Sequence, residues 1–232
     1  MLNLRTALIP AALFSFACTE SVESEDIRTS GIYPEIEVRA TGNGSTRVEV
    51  RLKVGGDDSN TFLELTGDDE LEATANGQTK RLDGDEDGYR ATFPIDDEGT
   101  EFVIAFNRGE SDDGAPASVV SLPAPFELSV AESEASRADT DLDYTWEPEA
   151  GGNIDWELDG DCIISDDDST PDDGAATIEA GSIDTFDSDE EESCTVDLTL
   201  TRKQRGTIDE AFTEGGSIVA LQVRKDSFTS TP

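Results

Sequence analysis

The stretch Val48-Glu49-Val50-Arg51-Leu52-Lys53-Val54 decides the fold class. Apolar residues fall at every second position and charged ones stand between them. A period of two marks a strand with one face in a core and the other in water. Ile36 and Val38 repeat the pattern upstream. Downstream come Phe62 to Leu65, then Leu71, Ala73 and Ala75, then Gln78 to Leu82. Asn76-Gly77 lies between the last two runs and is the strongest short hairpin signal. Tyr89-x-Ala91-x-Phe93, Phe102-x-Ile104-x-Phe106 and Val119 to Leu122 complete the set. No segment shows a helical period. Seven or eight short strands in about 90 residues predict an antiparallel β-sandwich of immunoglobulin-like size over residues 31–122.

Pro123-Ala124-Pro125 interrupts the pattern, because proline has no N–H to give to a ladder. It reads as a linker over 123–125. A second block, 126–232, opens with Phe126, Leu128 and Val130. Further strands are predicted at Leu142–Trp146, Ile154–Leu158, Cys162–Ile164, Ala176–Ile178, Cys194–Thr201 and Ile218–Val223. The fold class predicted is all-β, with two tandem antiparallel sandwiches.

The second block carries a resemblance. Trp146-Glu147-Pro148, then Gly151-Gly152, then Ile154-Asp155-Trp156, resembles the opening of a fibronectin type III or related immunoglobulin-like domain. Such domains place a strand ending in Trp-x-Pro before a turn and a strand with an inward aromatic. The likeness covers Phe126 to Leu158. It departs later: there is no clear tyrosine corner, and both tryptophans precede Cys162. The two tryptophans read as core residues, with sugar stacking as the alternative.

The chain begins MLNLRTALIPAALFSFAC. Arg5 precedes an apolar run too short to span a bilayer, which fits a secretory leader over residues 1–17. Ala17-Cys18 resembles the lipobox of bacterial lipoproteins, in which the cysteine is lipidated and becomes the new N-terminus. Ser15 stands where that motif usually has Leu. The alternative is an ordinary cleaved leader with Cys18 a free thiol. Residues 18–30 lack apolar periodicity and read as a lipidated cysteine followed by a flexible tether. Together with two acidic β blocks, this resembles lipoproteins of Gram-negative bacteria. The resemblance implies export and anchoring in the outer membrane, on its periplasmic or cell-surface face.

Setting Cys18 aside leaves Cys162 and Cys194. In an exported chain, two remaining cysteines predict one disulfide. No basic residue flanks them to favour a reactive thiolate.

The 232 residues contain 16 Lys+Arg, 54 Asp+Glu and no histidine, for a formal charge of −38. That charge repels the phosphate backbone and excludes nucleic acid as a sequence-blind partner. The absence of histidine removes imidazole catalysis and imidazole metal ligands. No G-x-S-x-G elbow or phosphate-binding loop is present. A non-catalytic interaction or structural module with a protein or glycan partner is therefore expected. A carboxylate-based hydrolase is the less favoured class.

Asp83-Gly84-Asp85-Glu86-Asp87-Gly88 matches the D-x-D-x-D-G opening of calcium loops. Pro94 stands where an EF-hand requires Glu, so the motif is read as a hairpin loop. Calcium at Asp83, Asp85 and Asp87 would make the chain a calcium-dependent ligand- or carbohydrate-binding module. The bland reading is a solvated acidic tip in a salt-adapted surface. Arg202-Lys203-Gln204-Arg205 is the densest basic island. It reads as a turn after a strand, either paired with acidic loops or offered to an acidic partner or a lipid phosphate.

Overall fold

In the computed structural model, residues 20–109, 112–186 and 191–232 are described. Among the described residues, eighteen strands and two short 3-10 turns make up the regular structure. The first block contains β1 (Glu20–Glu23), β2 (Ile32–Ala40), β3 (Thr46–Val54), β4 (Thr61–Glu64), β5 (Glu70–Ala75) and β6 (Gln78–Arg81). It continues with β7 (Asp83–Asp85), β8 (Gly88–Phe93), β9 (Glu101–Asn107) and β10 (Ala115–Ser121). The second contains β11 (Glu127–Val130), β12 (Glu134–Ser136), β13 (Leu142–Glu147) and β14 (Asn153–Gly160). It ends with β15 (Asp166–Pro171), β16 (Ala175–Ile178), β17 (Cys194–Arg205) and β18 (Ser217–Thr231).

One 11-stranded sheet runs through both blocks in the order β1-β4-β3-β2-β18-β17-β14-β15, with β7, β8 and β12 attached beside it. Two smaller sheets, β10-β9-β5-β6 and β11-β13-β16, complete the two sandwiches. The alternation expected around Val48 holds: Val48 and Val50 are fully buried and Leu52 nearly so, while Arg47 and Arg51 are exposed. Asn76 (φ 47°) and Gly77 (φ 74°) form the turn between β5 and β6. Positive φ at both central residues matches the right-handed twist of the flanking strands.

Two separate cores form. The first gathers Val38, Val48, Phe93, Phe102 and Phe106; the second gathers Trp146, Tyr144, Leu158, Leu198 and Phe228. Leu122 belongs to the first and Phe126 to the second, so Pro123–Pro125 does sit between them.

The boundary at 126–232 requires correction. Phe212, Ile218 and Ala220 are buried in the first core. β18 is the reason. Its start pairs in parallel with β2, setting Ile218 against Ile36 and Ala220 against Val38. Along its length it pairs antiparallel with β17 over twelve successive positions, without a register break. Its end pairs with β12. The connection from β17 to β18 also returns to the first sandwich. Thr207 and Val119 exchange two backbone hydrogen bonds of 2.8 Å. A Cβ at Gly206 would lie 2.1 Å from the Val119 carbonyl, so only glycine permits that approach. Phe212 stacks on Phe106, with centroids 6.3 Å apart. The first sandwich is thus residues 20–122 plus the segment from 206 to about Gln222.

The tether predicted over 18–30 is also corrected from residue 20 onward. β1 pairs in parallel with β4. Ser24 and Thr29 are buried. Arg108, nearly inaccessible, donates to the Ile27 and Ser24 carbonyls at 2.7 Å each and lies 3.1 Å from Asp69 in an ion contact not aligned as a hydrogen bond. Asp112 accepts from the Thr29 N–H at 2.8 Å. Polar hydrogen bonding holds this segment, and apolar periodicity does not report it.

Candidate functional site

Cys18 lies outside the described residues. Cys162 and Cys194 form the expected disulfide, with Cα atoms 5.7 Å apart. It links the turn after β14 to the start of β17 and so joins neighbours in the large sheet. Cys162–Ile164 itself is a turn and not the predicted strand.

Asp83, Asp85 and Asp87 lie on a hairpin, as expected. β7 pairs with β8, Asp83 opposite Arg90 and Asp85 opposite Gly88. All three aspartates are exposed. The Asp87 N–H donates to Asp85 Oδ1 at 3.2 Å, and Arg51 Nε donates to the Asp87 carbonyl at 3.0 Å. An extended ladder spreads these carboxylates instead of curling them around one point. Among the described residues, no group of three or more acidic, His or Cys side chains is gathered closely enough to hold a metal ion.

The basic island is not a turn. β17 continues through it to Arg205, and strand alternation divides it. Arg202 points inward and is 4% exposed, which removes it as a partner contact. Its Nε donates to Asp172 Oδ2 at 2.6 Å and its Nη2 to Asp172 Oδ1 at 2.7 Å. Trp146 Nε1 donates to the same carboxylate at 2.7 Å. The remaining guanidinium donors reach the Ala124 and Pro148 carbonyls at 2.8 and 2.9 Å. The guanidinium also lies over the Phe126 ring, 4.8 Å from its centroid. Burial alone would raise the Asp172 pKa, but the hydrogen bonds from Arg202 and Trp146 outweigh it and hold the carboxyl below its usual value. This is a structural bolt that fastens the linker carbonyl at Ala124 to the second core. Lys203 and Arg205 face outward; Lys203 pairs with Asp155 at 2.6 Å.

A feature the sequence reading missed lies in the disulfide-closed segment. Ile164 and Phe186 are 41% and 53% exposed, the large apolar side chains most open to solvent among the described residues. The Ile164 N–H donates to the Asp184 carbonyl at 2.8 Å, which ties the turn after β14 to the backbone two residues before Phe186. Two single apolar residues without periodicity carry no signal of burial or exposure in the sequence.

No family model matches the chain, and no curated protein matches it. Among solved structures, it is similar to a two-domain fibronectin type III segment of chicken tenascin, at 8% identity and a TM-score of 0.27, covering 86% of this chain and 99% of that one. It is also similar to a chain of a cytokine receptor complex, at 12% identity and a TM-score of 0.28, covering 82% and 94%. At these TM-scores the likenesses add nothing to the fold; the sheets and cores above define it as all-β and sandwich-built.

Proposed function

We propose that this chain is an exported protein, lipid-anchored through Cys18, that displays two fused β-sandwiches at a membrane surface as a non-catalytic interaction module. The observation that carries the reading is the Cys162–Cys194 disulfide in a chain whose remaining cysteine closes an apolar leader. Disulfides persist in oxidising compartments, and a leader ending in Ala17-Cys18 supplies both the export route and the anchor. The contact region offered to a partner is the disulfide-closed segment, where Ile164 and Phe186 project from acidic surroundings. That combination suits a protein surface with an apolar patch bordered by basic residues.

The anchor is tested by growing a Gram-negative host that expresses the full chain with radiolabelled palmitate. Label in the wild type and none in Cys18→Ser is expected. Absence of label, or equal label in both, overturns the anchor.

A further inference from the structure

We infer that the outer face of the large sheet is the surface that lies against phosphate-bearing lipid headgroups once the chain is anchored; the inference rests on the anchoring proposed above. The first observation is where the bases are. Alternation directs odd-numbered residues of β2, β3, β17 and β18 away from the cores. Arg47, Arg51 and Lys53 of β3 and Arg39 of β2 lie on that outer face. So does Arg90, which hydrogen-bonds Glu49 at 3.0 and 3.1 Å. Across the junction, Lys203, Arg205 and Lys225 join them. These are eight of the chain's 16 Lys and Arg. Of the others in the described residues, Arg108, Arg137 and Arg202 are buried.

Acidic residues interleave with these bases, as in Lys53–Glu35 at 2.7 Å and Lys225–Asp197 at 2.5 Å. The face is therefore close to neutral, whereas the chain as a whole carries −38. Arg205 pairs with no acid among the described residues. At the centre of the face, Leu221 stands in register between Arg39 and Lys203. A groove of about 820 Å³ crosses there, in which Arg39, Lys203 and Arg205 stand among five carboxylates, Asp155 and Glu157 included.

The second observation is the placement of β1. It sits at the edge of this same sheet, and Glu20 is only two residues from Cys18. Two extended residues span roughly 7 Å. An anchor on so short a lead holds the sheet edge at the bilayer, and the body must then turn one of its faces toward the headgroups. The opposed sheet of a sandwich lies about 10 Å away, and the Debye length is about 8 Å at physiological salt. Charge on the far side is thus largely screened, and the near face decides. Arginine exchanges a carboxylate for a phosphate with the same two-point geometry, and the anchor makes weak contacts effective by raising local concentration.

The test uses the four lysines of the mature chain. Lys53, Lys203 and Lys225 lie on the face; Lys80 lies on β6 in the opposed sheet. The chain beginning at Cys18 is coupled through that thiol to a maleimide lipid in phosphatidylglycerol-containing vesicles, and amine acylation is followed at each lysine by mass spectrometry. Severalfold slower acylation at the three face lysines than in the free chain, with Lys80 unchanged, is expected. The triple variant Arg47→Glu, Arg51→Glu, Arg205→Glu should lose that protection while keeping its circular dichroism. Equal protection of all four lysines, or of none, overturns the proposal. Protection that appears only at high surface density assigns the face to a second copy and also overturns it. Because the lipid is supplied chemically, this result is independent of whether cells lipidate Cys18.

Discussion

Arg202 and Asp172 form a two-point ion pair, at 2.6 and 2.7 Å, that is closed off from water beneath the linker between the two cores. A buried pair of this kind gives little net stability over an apolar substitute, but breaking it strands a charge. Arg202→Met or Asp172→Asn alone should therefore destabilise the chain by about 3–5 kcal/mol in urea unfolding, and the double variant by clearly less than the sum. The Asp172 carboxyl is depressed in the fold, so its contribution is present above the unfolded value of about 3.9 and disappears as pH falls through the folded value. The difference between wild type and Asp172→Asn should shrink below about pH 4. A constant difference down to acid-induced unfolding would contradict this.

The shared strand makes a second prediction. A fragment of residues 20–122 lacks Phe212, Ile218 and Ala220, which the first core buries. It should show no cooperative thermal transition, whereas the same fragment supplied with residues 206–232 as a separate peptide should recover one. In the whole chain, Ile218→Ala should cost about 2–5 kcal/mol.

Burial raises all three tyrosines above their ordinary value of 10.0, and brings Tyr144 to about 12. Phenolate absorbance should stay low near pH 10 and then rise cooperatively with unfolding. The linkage has the matching sign: the stability held by the neutral phenols is intact below the unfolded value and is lost as pH climbs toward the folded ones. Independent titration of three ordinary phenols would refute it.

Reducing Cys162–Cys194 releases a loop of sequence separation 32 that is dense in Asp and Glu. The loss should be about 3–4 kcal/mol in the chain-entropy model, read as a shift in the denaturant midpoint. Added salt should recover part of it, because screening relieves repulsion within the loop.

Divalent cations provide a final check on Asp83, Asp85 and Asp87. At fixed ionic strength, Ca²⁺ and Mg²⁺ should raise the melting temperature equally and slightly, as general neutralisation of an acidic surface does. A large shift with Ca²⁺ alone, abolished by Asp85→Asn, would instead establish a calcium site.

How much of this could be read from the residues divides along physical lines. Val48, Val50 and Leu52 announce a half-buried strand because periodicity reports burial directly. Asn76-Gly77 announces its turn because few residues tolerate positive φ. β15 leaves no strand signal because Asp166–Pro171 has no alternating apolar residues; it is recruited as an edge by β14 alone. Charged edges of this kind also discourage pairing with other chains. Ser24–Thr29 looks like a tether in sequence because the groups that fix it, Arg108 and Asp112, lie more than 80 residues away. Arg202 reads as exposed because a charge in a cluster normally is, and its partner Asp172 stands 30 positions upstream. Partition of β18 between two cores leaves no local mark at all.

That last strand sets an order of events at synthesis. The N-terminal sandwich emerges first but lacks the strand that pairs with β2 until residues 217–222 are made. A chain leaving the ribosome or a translocation pore therefore cannot finish one sandwich before the other, as serial modules commonly do. Its early product must wait as an incomplete sheet with β2 unpaired on one side, and the two sandwiches are committed within the same closing step. A stop, a stalled export event or a cut before residue 217 would thus disable the sandwich made first.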